Sequence, residues 1–202
     1  MTKRNKEKVY ESYNEIVDWF DDARTKTLME SGYLNLIVDS VPAGSSVLDL
    51  GCGTGEPIAQ FFIEKGFKIT GVDGSEKMIE LCKKRYPNEQ WIVSDMRDIK
   101  LNQQFDVVLA WHSFFHLDHD SQRKMFKIFD VHIKPGGILA FTSGEEEDEV
   151  WSDNGGQQLY HASLSTNEYE KHLHENSFKV LLHKIRDTEC GEATVWVVQK
   201  SR

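Results

Sequence analysis

An α/β fold is predicted, with a mostly parallel sheet, helices on both faces and an antiparallel hairpin at the C-terminal end. Three observations carry this prediction. Val47-Leu48-Asp49-Leu50 runs into Gly51-Cys52-Gly53-Thr54-Gly55-Glu56-Pro57 and then into Ile58-Ala59-Gln60-Phe61-Phe62, whose apolar spacing is helical. That pattern reads as strand, glycine turn, helix. Short apolar runs near 47–50, 68–72, 91–93, 105–111 and 137–142 alternate with helical stretches near 57–65, 75–85 and 120–133, which predicts βαβ units with right-handed crossovers. The last two apolar runs, 178–186 and 193–199, have no helix between them, so a hairpin is the economical reading.

Ahead of the first strand, residues from about 7 to 40 carry two helical apolar faces. Val9, Tyr10, Tyr13, Ile16, Val17 and Phe20 form one; Leu28, Met29, Tyr33, Leu34, Leu36 and Ile37 form the other. They are available to cover the sheet edge. Pro135-Gly136-Gly137 is expected to end the helix near 120–133 and turn the chain into the fifth strand. An acidic loop, Gly144-Glu145-Glu146-Glu147-Asp148-Glu149, and a helix near 166–175 precede the hairpin. No repeat or Pro/Ser linker divides the chain, so a single domain is expected. It is organised as a helical N-terminal cap (1–44), a ligand-binding core (45–143), and an insertion plus the C-terminal hairpin (144–202).

The 202 residues are enough for one proper core. Acidic residues number 33 against 24 Lys and Arg, a net charge of −9, which disfavours a nucleic-acid partner because such binding needs clustered cations. Cys52, Cys82 and Cys190 are few, odd in number and widely spaced, which suggests neither a disulfide framework nor a zinc knuckle. No apolar run has membrane-spanning length, and the N-terminus lacks a signal-peptide apolar segment. The expectation is a soluble, cytoplasmic protein with no membrane partner.

The glycine turn has a chemical use: glycine takes backbone angles closed to other residues and lets a ligand lie against the main chain. A second apolar strand, Phe67–Val72, ends in Asp73, where such folds place the carboxylate that accepts hydrogen bonds from ribose hydroxyls. An adenosyl ligand follows. A dinucleotide would bring a pyrophosphate to the helix N-terminus. Here the third glycine comes one residue early and Glu56 occupies the first helical turn, a placement unfavourable to pyrophosphate and tolerable beside a sulfonium and an ammonium.

The chain resembles the class I S-adenosylmethionine-dependent methyltransferases, in particular the small single-domain bacterial type. The resemblance rests on Val47–Pro57, on Gly71-Val72-Asp73-Gly74-Ser75 followed by Met78, on Ser94-Asp95-Met96, on Phe105–Trp111, and on Lys134-Pro135-Gly136-Gly137-Ile138-Leu139. These segments stand in the family's order across roughly residues 45 to 145. The resemblance implies a Rossmann-like, seven-stranded sheet and S-adenosyl-L-methionine as cofactor, with S-adenosyl-L-homocysteine as product. It also implies cofactor contacts from Asp49, Gly51, Cys52, Gly53, Gly55 and Pro57 in the first segment and from Asp73, Gly74, Ser75 and Met78 in the second. Asp95 and Met96 meet the adenine, Trp111 and His112 meet the methionine end, and Tyr13 closes over the ligand from the cap.

Methyl transfer from a sulfonium is an in-line displacement, so the protein mainly aligns the reactants and excludes water. The expected acceptor is a small molecule. His112 and His116 are the candidate catalytic residues because they follow the strand that carries such residues in relatives. Trp19, Arg24, Phe115, His116, Tyr160 and His161 are the candidate acceptor contacts. No metal is expected: His112, His116 and His119 fall at helical spacing and His172 and His174 form a pair, but no carboxylate or cysteine pattern completes a site. Two other readings stay open, namely methylation of a protein side chain and a non-catalytic adenosyl-ligand sensor. The sequence leaves the acceptor and the oligomeric state undetermined.

Overall fold

The computed structural model describes residues 5–202. In chain order the elements are α1 (Val9–Ala23), α2 (Ser31–Asp39), β1 (Ser46–Leu50), α3 (Ile58–Glu64), β2 (Lys68–Asp73), α4 (Glu76–Arg85), β3 (Gln90–Val93), β4 (Phe105–Ala110), α5 (His119–His132), β5 (Ile133–Ser143), β6 (Asp148–Asn154), β7 (Gln157–Ser163), α6 (Thr166–Glu175), β8 (Phe178–Asp187) and β9 (Ala193–Lys200). Seven strands form one sheet in the order β3-β2-β1-β4-β5-β9-β8. Strands β1 to β5 pair in parallel, while β9 runs antiparallel to both β5 and β8. The strand order reverses at β1 and β4, and in such sheets ligands bind beyond the carboxyl ends at that point.

The central strands are apolar on both faces because helices cover both. Val47 and Val107 pack with Leu34, Ile37 and Phe62 on one side, and Leu48 and Val108 with Phe126, Phe129, Phe141 and Trp196 on the other. Thus α2 lies on a face of the sheet rather than at its edge, because Leu34 and Ile37 are wholly buried there. Helix α1 instead crosses the carboxyl ends of the strands, where Tyr10 rests on Gly74. Among the described residues, no helix is long and apolar enough to cross a membrane.

Two local expectations need correction. Lys134-Pro135-Gly136-Gly137 lies inside β5 rather than ahead of it: Phe105 pairs with Ile133 and Val107 with Ile138, so a bulge absorbs the segment. A Cβ at Gly137 would stand 2.9 Å from the Asp106 carbonyl, which explains the glycine there. The stretch 144–164 is not simply an acidic loop, because β6 and β7 form a separate hairpin from Asp148↔Ser163 to Asn154↔Gln157. Gly155 and Gly156 turn it at φ of +58° and +79°, as a two-residue hairpin loop with positive φ at both positions requires. Leu159, Tyr160 and Ala162 of β7 pack on Val9 and Ile16 of α1.

Candidate active site

The loop after β1 is built on one carbonyl and one carboxylate. The Gly51 and Cys52 amides both donate to the Val72 carbonyl, at 2.7 and 3.1 Å. Gly51 sits at φ +77°, and a Cβ there would lie 2.2 Å from Ser113 Cβ, so only glycine fits. The Gly53 amide donates to Asp73 Oδ2 at 2.9 Å, and the Ser75 amide donates to Asp73 Oδ1 at 2.8 Å. Burial pushes the Asp73 carboxyl up against the lowering effect of these two amides. Each carboxylate oxygen keeps a lone pair for a further donor.

Asp73 opens into a first cavity of about 100 Å³ lined by Gly74, Met78, Asp95, Met96, Tyr10 and Tyr13 among others. Asp95 is gripped by Arg97, with Nη2 at 2.6 Å from Oδ2 and Nε at 3.0 Å from Oδ1. The same guanidinium reaches the Glu7 carboxylate at 3.1 Å and the Glu7 carbonyl. Asp95 therefore ties the start of the cap to the site while keeping spare acceptor capacity.

A second cavity of about 370 Å³ shares Tyr13, Phe20, Gly51, Gly53, His112 and His116 with the first. Asp49, Cys52, Arg24, Trp111, Phe115 and His161 also line it. Asp49 is buried and its carboxylate makes no hydrogen bond among the described residues; burial and then the neighbouring Asp73 push its carboxyl up to about 7. Arg24 donates to Glu30 Oε1 at 2.9 Å, and Glu30 is wholly buried. Trp111 Nε1 is buried without a hydrogen-bond partner among the described residues.

His112 stands at φ +49°, a conformation unusual for histidine, with its amide donating to Thr142 Oγ1 at 2.9 Å. Burial, then Arg24, pushes its imidazole down to about 4. His116 is engaged at both ring nitrogens, to the Tyr13 hydroxyl and to the Tyr160 carbonyl, and burial pushes it down to about 3. The ring of His161 lies 5.2 Å from Phe115 and 4.6 Å from His116 between centroids.

Five of the expected contacts lie elsewhere. Gly55 (φ +80°) lies where a Cβ would meet Cys82 and Tyr86 at 3.3 Å, and Pro57 precedes α3 after a cis peptide bond. The Ser75 hydroxyl caps α4 through the Met78 amide and donates to Asn14 Oδ1 at 2.7 Å, so it holds α1 rather than facing a cavity. Trp19 packs over Gly155 and lines a small side pocket with Arg24. The Tyr160 ring is buried with Val9 and Leu159; only its carbonyl turns toward His116. Outside the expected set, Tyr10, Phe20, Arg97 and Ser113 line the cavities. The apolar stripe of α1 already held Tyr10 and Phe20, whereas nothing in the local pattern marked Arg97 or Ser113. His119, by contrast, meets the Asp148 carbonyl, and His172 stacks on Phe126.

The switch-point site, glycine loop and strand order define an α/β protein of the class I methyltransferase architecture. Residues 47–137 match a family described as a methyltransferase domain. The chain is 39% identical over 109 residues to YqeM of Bacillus subtilis (strain 168), itself provisionally named a methyltransferase, covering 50% of this chain and 43% of that protein. It is 30% identical over 107 residues to a dTDP-4-amino-2,3,4,6-tetradeoxy-D-glucose N,N-dimethyltransferase of Saccharopolyspora spinosa, covering 52% and 43%. The chain thus spans less than half the length of these curated relatives. Its fold superposes on 1,6-didemethyltoxoflavin-N1-methyltransferase of Burkholderia thailandensis with a TM-score of 0.76 and 15% identity, covering 100% of this chain and 93% of that one.

The residues present suit S-adenosylmethionine. Spare lone pairs on Asp73 match ribose hydroxyls, Gly74 leaves no side chain in the cavity floor, and the unpaired buried carboxylate of Asp49 matches an ammonium.

Proposed function

We propose that the protein transfers a methyl group from S-adenosylmethionine to a small-molecule acceptor. The single observation that carries the proposal is the meeting of two cavities at Tyr13, His112 and His116, with Asp73 in the first and Asp49 in the second. The cofactor supplies an electrophilic methyl group that already carries its leaving group. Asp73 accepts from the ribose, while Asp95 and Met96 flank the adenine. Asp49 holds the ammonium, and Arg24 and Trp111 Nε1 stand beside it as donors for a carboxylate. The Tyr13–His116 pair closes the junction and keeps water from the reacting atoms. His112 reaches the junction from the acceptor side with its ring nitrogens uncommitted among the described residues. No step beyond alignment is asked of a neutral nucleophile.

Calorimetry with S-adenosylmethionine and S-adenosylhomocysteine, followed by transfer of labelled methyl to a small-molecule panel, tests the reading. Binding of both with no turnover on any acceptor leaves a sensor as the better account. A missing heat of binding rejects the cofactor itself.

A further inference from the structure

We propose that Glu30 is a positioning residue for the cofactor's carboxylate, acting through Arg24, whose guanidinium it holds at the wall of the second cavity. This rests on the methyl-transfer reading and adds to it a residue that touches no ligand.

The two side chains belong to different parts of the fold. Arg24 is the first residue past α1, and its amide donates to the Phe20 carbonyl, so its backbone follows the cap. Glu30 immediately precedes α2, which is seated on the sheet by the wholly buried Leu34 and Ile37. The bond of 2.9 Å from Arg24 Nη2 to Glu30 Oε1 therefore ties the cap to the core. Arg24 lines the second cavity, and Glu30 stands behind it, outside the lining.

The Glu30 carboxylate has no other partner among the described residues. A side chain at the N-terminus of a helix ordinarily accepts from a free amide there, yet Glu30 makes no such cap, and its Oε2 is buried without a hydrogen-bond partner. Burying two opposite charges costs each its water, and such a pair adds little net stability. What this pair supplies is position. A guanidinium carries five N–H donors, and Arg24 spends one on Glu30, which leaves the others for the cavity. Trp111 Nε1, buried and without a partner among the described residues, lines the same cavity. Holding a long side chain in one geometry beforehand spares the ligand that ordering cost. The negative charge of Glu30 itself opposes a second carboxylate, so its contribution comes from the reach of the side chain and not from its charge.

That distinction sets the test. Glu30→Gln keeps the reach and an acceptor oxygen but loses the charge, whereas Glu30→Asp keeps the charge and is one methylene shorter. Both leave Arg24 an acceptor, and either variant alone can overturn the inference. Calorimetry on the full chain compares S-adenosylhomocysteine with its decarboxylated analogue, 5′-S-(3-aminopropyl)-5′-thioadenosine, which retains the adenosine and the ammonium. The wild type is expected to prefer S-adenosylhomocysteine by about tenfold or more. Glu30→Asp is expected to cut that preference to about threefold or less while changing affinity for the analogue by less than about twofold, and Glu30→Gln to keep the preference in full. Arg24→Met is expected to abolish it, with no further loss on adding Glu30→Asp. A preference that survives Glu30→Asp, one that is lost in Glu30→Gln, or an equal weakening of both ligands overturns the inference. A wild type without the preference overturns it together with the placement of the carboxylate at Arg24, and failure of both ligands to bind falls on the cofactor reading.

Discussion

The Tyr13 hydroxyl donates to His116 Nε2 at 2.8 Å, and His116 Nδ1 stands 2.8 Å from the Tyr160 carbonyl. A carbonyl oxygen only accepts, so the proton is on Nδ1 and Nε2 is the acceptor for the tyrosine. One imidazole thereby ties α1, the loop after β4 and β7 together over the junction of the two cavities. His116 is a positioning residue in this arrangement, since neither ring nitrogen is left to take a proton from a substrate.

Tyr13→Phe is accordingly expected to lower stability by about 1–2 kcal/mol, the cost of a buried acceptor left without its donor. Because the hydroxyl holds α1 over the junction of the two cavities, cofactor affinity is expected to fall as well. Chemical denaturation and calorimetry read the two effects separately. Unchanged values in both would show that the tie carries no weight.

The buried imidazoles set a pH dependence with a definite sign. An ordinary histidine titrates near 6.5, whereas His112 is held down to about 4 and His116 down to about 3. Between pH 6.5 and those values the unfolded chain binds protons that the native state refuses, so stability falls on acidification through this window. Asp49, pushed up to about 7, acts in the opposite direction between its ordinary range and pH 7. Two imidazoles outweigh one carboxyl. Urea denaturation from pH 7 to pH 4 is expected to show a net loss of stability, and His116→Gln to flatten its slope.

Much of this site was legible in the sequence because it is made of chain-local geometry. The glycine loop, Asp73 at the end of β2 and Asp95 after β3 are each fixed by the residue types around them, and all three arrive at the expected strand ends. What failed was long-range. Tyr160 carries its ring into the α1 cluster because β7 pairs with β6, and that pairing sets which side chains face inward. The hairpin had its own signal, Asp153-Asn154-Gly155-Gly156 between two runs, which the acidity of 145–149 obscured. Arg97's grip on Asp95 is local, but its tie to Glu7, ninety positions away in the chain, left no mark in the sequence.

The proposed contact of Asp49 with the cofactor's ammonium makes binding pH-dependent. The carboxyl must be ionised to hold an ammonium, and in the free protein it titrates at about 7. Below that pH, binding is expected to release a proton, and affinity to rise roughly tenfold per pH unit before levelling above 7. Calorimetry in buffers of different ionisation heat counts the proton. Asp49→Asn is expected to remove both the release and the slope; persistence of either would place the titrating group elsewhere.

Gly74 reports on the seat of the cap. A Cβ there would stand 2.4 Å from Tyr10 Cγ and 2.8 Å from Tyr10 Cβ. These atoms are close to the helix backbone, so a flexible tip cannot relieve the clash. Gly74→Ala is expected to cost about 1–3 kcal/mol of stability by displacing α1, and a Gly74→Ala/Tyr10→Ala double variant to recover part of it. A single variant as stable as the wild type would mean that α1 is not seated as described.

Asp73 separates ligand binding from loop bracing most sharply. Its two oxygens each accept one backbone amide, from Gly53 and from Ser75, so the side chain holds the glycine loop against the start of α4 before any ligand arrives. Asp73→Ala is therefore expected to lower the stability of the ligand-free protein by about 1–3 kcal/mol, since two buried amides lose their acceptor. Cofactor affinity should fall further, by about ten- to a hundredfold, because the ribose bonds are charge-assisted and worth about 1.5–3 kcal/mol. Asp73→Asn keeps one acceptor oxygen and should hold the loop better than it holds the ribose, giving a smaller loss of stability beside a comparable loss of affinity. Denaturation without ligand and calorimetry with S-adenosylhomocysteine measure the two quantities on the same samples. If Asp73→Ala weakens the fold but leaves affinity intact, Asp73 is only a brace and the ribose contact belongs elsewhere.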